Sequence, residues 1–327
     1  MFRKITALSL ALVLALSLFA GCSGTQDTPA GTQKLSIVCT VFPMYDWVKN
    51  ILGEKASDAD VTLLLDTGTD LHSYQPTAED IIKITSADVF VFVGGESDKW
   101  VKDVASTADV SGVAMVGLID ALGDAAVEEE TVEGMEAEEE EDEEEGEEEP
   151  EYDEHVWLSL KNARVLCEKL AAVLGEKDAA NASVYTENAK AYCEKLDALD
   201  IEFADAVTAA EKDTVLVADR FPFRYLCMDY NINYYAAFSG CSAESEAAFS
   251  TITFLADKVN ELGLDVILMT ETSDGSIART VRSTAGNEEI EILTLNAMQS
   301  VTADKASGTS YIEVMAENLG VLTQALS

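Results

Sequence analysis

Apolar runs short enough for strands alternate with segments of helical period, and the whole alternation occurs twice, once on each side of a long helical stretch. In the first half the strands are read at residues 35–41, 61–65, 89–93 and 113–118. An amphipathic helix runs through Tyr45, Val48 and Ile51, and a short one covers residues 78–84. In the second half the strands are read at residues 214–218, 234–238, 266–269 and 290–295. Helices at 223–229, 246–262 and 276–284 separate them, and one at 311–326 closes the chain. Such alternation predicts a mainly parallel sheet flanked by helices in each half, with ligand sites beyond the carboxyl ends of the strands. Between the halves, Val165, Leu166, Leu170, Ala171, Val173 and Leu174 keep helical spacing, and residues 185–207 resume it. A helix of roughly 25 residues starting near Ala179 would run roughly 37 Å, enough to lie along both halves. The expected fold is α/β with two similar lobes, residues 34–178 and 209–327. A long rigid helix over residues 179–208 joins them, and the ligand cleft lies between.

The amino terminus reads as an export signal. Arg3 and Lys4 precede an apolar stretch over residues 5–20, which runs into Gly21 and Cys22. The small residues around Cys22 resemble a bacterial lipobox, whose cysteine is acylated and becomes the mature amino terminus. Phe19 stands where that motif usually has Leu. Residues 1–21 are therefore expected to be a signal peptide and residues 22–33, small and polar, a lipidated flexible tether. A chain held this way works on the extracytoplasmic face of a bacterial cell membrane. A plain signal peptide with an incidental cysteine, or an uncleaved anchor, are the competing readings.

The formal net charge is -40, and 19 of the 27 residues from 128 to 154 are acidic. The rest of the chain still holds 42 acidic against 21 basic residues. Such a field repels nucleic acid and favours cations near the surface, which argues against a nucleic-acid partner. The tract over residues 128–151 centres on Glu138, Glu139, Glu140, Glu141, Asp142, Glu143, Glu144 and Glu145. With almost no apolar content it is expected to be a mobile, solvated loop that interrupts the first lobe. Besides Cys22 there are Cys39, Cys167, Cys193, Cys227 and Cys241, with no C-x-x-C spacing. An odd number cannot all pair within one chain. They read as buried small residues, with Cys167 and Cys193 the one pairing to check.

Only two histidines occur, each in a distinctive segment: His72-Ser73-Tyr74-Gln75-Pro76-Thr77-Ala78-Glu79-Asp80 and Asp153-Glu154-His155-Val156-Trp157-Leu158-Ser159. From the residues alone both read equally well as ordinary surface or core histidines. The segments resemble those of the substrate-binding proteins of zinc and manganese ABC importers, in which these histidines are the first two metal ligands. Supporting features in the same order are Phe42-Pro43, Val93-Gly94 before Trp100, Tyr185 with Asn188, and Tyr311 followed by Asn318-Leu319. The resemblance implies a monomeric receptor that captures Zn2+, or alternatively Mn2+, and delivers it to an ABC permease and its ATPase. Imidazole suits zinc and tolerates manganese, and carboxylates complete the charge balance. In that reading the acidic tract collects metal weakly through oxygen alone, or is a solvated spacer.

The second half of the site departs from the family's pattern. Phe223 and Tyr225 keep their offsets, which places Arg220 where the family has a third ligand, and a guanidinium cannot coordinate a cation. The family's aspartate falls on Asn296, and its acidic residue at the end of the preceding strand is kept as Glu271. The resemblance thus implies His72 and His155 as ligands, with Glu271 either a third ligand or the partner of Arg220, and Asn296 or water completing the shell. Cys241, among the cleft loops, is a further soft donor if deprotonated. Three other readings stand beside this one: a receptor whose degenerate site takes a different, anionic or chelated ligand; a secreted metallohydrolase; and an adhesin. No HExxH segment supports the hydrolase, and no residue argues for the adhesin.

Overall fold

The computed structural model describes residues 34–136, 151–242 and 246–327. The first half folds as β1 (Leu35–Cys39), α1 (Phe42–Leu52), β2 (Ala59–Leu63), α2 (Ala78–Thr85), β3 (Val89–Phe92), α3 (Trp100–Thr107), β4 (Ala114–Gly117) and α4 (Leu118–Leu122). Two long helices follow, α5 (Leu160–Lys177) and α6 (Ala182–Ala209). The second half is β5 (Thr214–Arg220), α7 (Arg224–Tyr230), β6 (Asn233–Phe238), α8 (Phe249–Leu262), β7 (Val266–Met269), α9 (Ser276–Ala285), β8 (Glu291–Thr294), α10 (Ala303–Gly308) and α11 (Tyr311–Ala325).

Both sheets are parallel throughout and repeat one topology, β2-β1-β3-β4 in the first lobe and β6-β5-β7-β8 in the second. The α/β two-lobe fold expected from the alternation is present. In each sheet the strand order reverses beside the first strand, which opens a crevice at the carboxyl ends. The core explains why the lobes stay together: one apolar cluster runs from the first sheet through α5 and α6 to the inner face of the second sheet. A smaller cluster under α8 and α9 fills the outer face of the second sheet.

The helices start and stop where local chemistry dictates. Thr77 and Asp80 form a capping box on α2, and Ser310 and Glu313 form one on α11. Gly53, at φ 55, ends α1 in a conformation open to glycine. The spine helix α6 starts at Ala182, three residues later than the sequence pattern suggested, after a turn in which the Asn181 amide donates to Asp178 at 2.7 Å. Its 28 residues span about 42 Å. Tyr185, Ala189, Tyr192, Cys193, Leu196, Leu199 and Phe203 form its buried stripe. Cys167 and Cys193 are free thiols, so the pairing considered above does not form, and the Cys193 thiol faces the Arg164 carbonyl instead.

The acidic tract corrects the expectation of a solvated loop at its base. Glu128 and Tyr152 form an antiparallel bridge, and the Asp153 N–H donates to the Val127 carbonyl at 2.9 Å. The chain then lies on the second lobe: Glu130 pairs with Arg224 at 2.8 Å, and the Glu136 N–H donates to the Ala237 carbonyl at 3.0 Å. Gly134, at φ 89, packs so close to Phe254 that a Cβ would sit 2.1 Å from its ring. Satisfied backbone groups and this close packing offset the repulsion between like charges. Residues Glu138 to Glu145 of the tract, together with Cys22, lie outside the described residues.

One buried carboxylate ties three segments together. Asp46 of α1 accepts the Tyr311 N–H at the start of α11 at 3.1 Å, the Tyr192 hydroxyl of α6 at 3.2 Å and the Asn50 amide at 3.1 Å. Replacing Asp46 by Ala strands buried donors, so D46A should lose about 2–5 kcal/mol of stability. Urea unfolding of the two proteins checks this, and an unchanged midpoint would contradict it.

Candidate metal centre

The two histidine segments are local locks. In the first, the Tyr74 hydroxyl at 3.0 Å and the Thr77 hydroxyl at 2.7 Å both donate to Asp80, which fixes the turn Leu71–Ser73 against the start of α2. Asp70 accepts the His72 N–H at 3.0 Å and sets the orientation of the turn. In the second, Asp153 Oδ1 accepts both the His155 N–H and its Nδ1–H, each at 2.9 Å. The Trp157 ring meets the His155 ring edge-on at 5.4 Å. Its indole N–H donates across to the Ala297 carbonyl of the second lobe at 2.8 Å. Ser159 then caps α5 by accepting the Asn162 N–H at 3.0 Å.

His72 and His155 converge, with their Nε2 atoms 3.2 Å apart. The hydrogen bonds around them set the tautomers. Asp153, an acceptor, takes the proton on His155 Nδ1. Ser97 Oγ lies 2.8 Å from His72 Nδ1, while its own O–H donates to Glu154 Oε2 at 2.6 Å, so His72 Nδ1 must be the donor to Ser97. Both Nε2 atoms therefore carry lone pairs, and these face one another. Such a pair repels unless something electropositive lies between. Here the Gln299 amide N–H2 contacts both, at 3.1 Å from His72 and closer still to His155. A tetrahedral zinc with Zn–N bonds of about 2.05 Å would hold its two nitrogens about 3.3 Å apart, so the spacing fits a shared ion.

The supporting shell is anionic but committed. Glu154 is fully buried, with Oε1 accepting the Ser97 N–H and Oε2 the Ser97 O–H, each at 2.6 Å. Gly95 makes room for it, since a Cβ there would fall 2.3 Å from Oε1. Asp98 braces the same turn by accepting the N–H groups of Val93 and Gly94. Burial pushes Glu154 up to about 7. Burial, and then the neighbouring His155, push His72 down to about 3. For His155 burial works downward too, but the Asp153 carboxylate on its Nδ1 outweighs it and the net shift is upward.

The second lobe is arranged differently from the sequence expectation. Glu271 acts on Arg220 through its charge, but its oxygens are engaged elsewhere. Its two oxygens accept the N–H groups of Ala297 at 2.7 Å and Gln299 at 3.0 Å, so it shapes the loop after β8. Asn296 is spent on the same loop, its Oδ1 accepting the Met298 N–H at 2.8 Å. Met298 there takes φ 59, a left-handed backbone unusual for a side chain of its size, immediately before Gln299. Arg220 instead pairs across the cleft with Asp70 at 2.7 Å. Burial works upward on Asp70, but Arg220 outweighs it and holds the carboxyl below its usual range. Cys241 lies at the site's edge: its sulfur, a His72 nitrogen and a Glu154 oxygen are all within 4.8 Å of one another.

Sequence reasoning missed Gln299, Glu154 and Ser97. Gln299 stands only three residues past Asn296, in the loop already singled out. Glu154 read as one more charge of the acidic tract, although it precedes His155 directly. Ser97 follows Gly94-Gly95, the one signal that a backbone there had to admit a neighbour.

The imidazole pair titrates unequally. Two rings whose Nε2 atoms lie 3.2 Å apart accept one proton between them, and Asp153 directs it to His155. His72, lowered from 6.5 to about 3, stays neutral in the fold while the unfolded chain takes up a proton. It therefore withdraws stability as pH falls below 6.5. Glu154, raised from 4.5 to about 7, has the opposite sign and withdraws stability as pH rises between those values. In metal-free protein, NMR titration of the ring protons should show His155 protonating above the ordinary histidine range and His72 unprotonated at pH 5. Two overlapping titrations near the ordinary value would contradict this.

Comparison with known proteins shows the family. Residues 37–325 match the family described as ZnuA, zinc-uptake complex component A, periplasmic. The zinc-binding lipoprotein AdcA of Streptococcus pneumoniae serotype 4 is 34% identical over 323 residues, covering 98% of this chain and 61% of its own length. The high-affinity zinc uptake system protein ZnuA of Bacillus subtilis strain 168 is 30% identical over 331 residues and is covered over 99% of its length. This chain thus spans about six-tenths of the pneumococcal protein but nearly all of the Bacillus one. Among solved structures, the Zn(II)-bound ZnuA-like domain of Streptococcus pneumoniae AdcA superposes with a TM-score of 0.69 at 30% identity, covering 90% of this chain and 99% of that one. The metal-dependent lipoprotein YcdH of Bacillus subtilis gives 0.71 at 26% identity, with 90% and 99% covered. A match over this length, in a fold with the same two lobes, makes the chain a member of the ZnuA family of zinc-uptake binding components.

Proposed function

We propose that this chain captures Zn2+ between its lobes outside the cytoplasm and delivers it to an ABC permease driven by its ATPase. The observation that carries the reading is the imidazole pair: two Nε2 lone pairs 3.2 Å apart, each fixed by an acceptor on the opposite ring nitrogen. Holding neutral imidazoles by carboxylate and hydroxyl partners is how metal-binding histidines are oriented. His72 and His155 bind through Nε2. Gln299 gives up its N–H2 contacts as the ion enters and turns its amide oxygen inward. Asp153 and Glu154 supply negative charge one shell out, while Glu271 shapes the loop that brings Gln299 from the second lobe.

The neutral inner set favours zinc over manganese, which prefers carboxylate and water. The function is capture of the ion for transport, with the carboxylates of Glu154, Asp153 and Glu271 engaged by protein donors. The proposed architecture is a first lobe over residues 34–178, the spine over 179–208 and a second lobe over 209–327. A lipidated Cys22 with a tether to residue 33 would hold it at the membrane surface, and none of the helices among the described residues is long and apolar enough to cross a bilayer.

Thermal unfolding of metal-stripped protein tests the reading. Zinc at about 100 times its Kd should add about 2.7 kcal/mol, a midpoint rise of several degrees, with less from manganese and none from calcium. H72A and H155A should each abolish the rise. An equal response to calcium, or a zinc response kept in both variants, would overturn the site.

A further inference from the structure

We propose that Cys241 is a further protein ligand, binding as a thiolate to the metal that His72 and His155 hold. The inference rests on the metal-capture reading above and adds the donor that Arg220 cannot supply. Three potential donor side chains of different kinds, His72, Glu154 and Cys241, place one ligand atom each within 4.8 Å of the others. The Glu154 oxygens are taken by Ser97, and Arg220 is turned to Asp70, so among these groups the sulfur is the donor left to complete the shell.

The chain around Cys241 is built to bring it there. After β6 it passes through Gly240, where a Cβ would lie 3.1 Å from His155 Cε1 and 2.9 Å from the Phe221 carbonyl. Only a glycine lets the backbone press this closely on the ligand ring, and Cys241 is the next residue. The Cys241 N–H is pinned by Glu129 Oε1 at 2.9 Å, so the base of the acidic tract positions the loop. Burial and the carboxylates of Glu154, Glu129 and Asp153 push the Cys241 thiol up and outweigh the Glu154 N–H, so it is the arriving metal that has to displace the proton. Cys39, Cys167, Cys193 and Cys227 are buried in the core or along the spine and take no part.

The step balances as an exchange of proton for metal. The S–H bond breaks, a sulfur–metal bond forms, the proton leaves to solvent, and the bound ion's net charge falls by one. A zinc–thiolate bond is about 2.3 Å long, a reach that suits a sulfur already within 4.8 Å of a His72 nitrogen. A soft sulfur ligand sharpens the preference for zinc over manganese.

Cobalt(II) substitution of the stripped protein is the test, since a cobalt–thiolate bond adds an intense near-ultraviolet charge-transfer band. Wild-type protein should show that band and C241S should lack it while still binding cobalt through the imidazoles. C241S should also bind zinc about 10- to 100-fold more weakly, and circular dichroism reports whether its fold is intact. Cobalt bound without the sulfur band in wild-type protein, together with unchanged zinc affinity in C241S, would overturn the thiolate alone. Failure of wild-type protein to bind either ion would overturn the capture reading with it.

Discussion

The structure turns on the seam at Trp157. Its indole N–H reaches the Ala297 carbonyl of the second lobe, its carbonyl accepts the Tyr311 hydroxyl at 2.5 Å, and its ring supports His155. Tyr311 in turn begins α11 with its N–H on Asp46 of the first lobe. These few buried bonds fix the two sheets relative to each other. They also set the distance between the histidines and the loop that carries Gln299. A spine packed along one continuous core permits only small closure, so the centre has to be nearly preformed, and the 3.2 Å imidazole spacing is what a preformed centre requires.

Electrostatics then decides what the centre accepts. The imidazole nitrogens that converge in the cleft are neutral, while the carboxylates of Asp153 and Glu154 stand behind them, where protein donors hold them. Such a shell raises the basicity of the imidazoles without offering the hard oxygens that manganese or calcium prefer. The pair of Arg220 and Asp70 bridges the lobes at the rim, its side chains only 15% and 16% exposed. Breaking a pair this buried by removing one partner costs far more than breaking a surface pair. Arg220 thus serves as a strut at the position where a ligand was expected.

Much of this was legible from sequence, and the limits have physical causes. Strand and helix periods gave the two parallel sheets to within a few residues because each strand is a dense apolar run, such as Val89–Phe92. His72 and His155 stood out because their segments carry the residues that lock each turn: Tyr74, Thr77 and Asp80 for one, Asp153, Trp157 and Ser159 for the other. Gln299 did not, because its approach depends on a left-handed Met298, and although Cys241 was read as a soft donor among the cleft loops, the press of Gly240 on His155 beside it is nothing a linear pattern records. That Arg220 takes Asp70 as its ion-pair partner, where Glu271 was one of two roles left open, was hidden for the same kind of reason. Asp70 is 150 residues away in sequence yet 2.7 Å away in space, while Glu271 accepts the backbone N–H groups of Ala297 and Gln299 in the loop after β8.

With only two histidines in the chain, long-range proton–nitrogen NMR of the rings resolves both without ambiguity. Comparing stripped with zinc-loaded protein is the most direct test of the central claim. The account predicts that both Nε2 signals move to the position of metal-bound nitrogen while both Nδ1 signals remain those of protonated donors. Zinc bound with either Nε2 unshifted, or with an Nδ1 as the metal-bound atom, would contradict it.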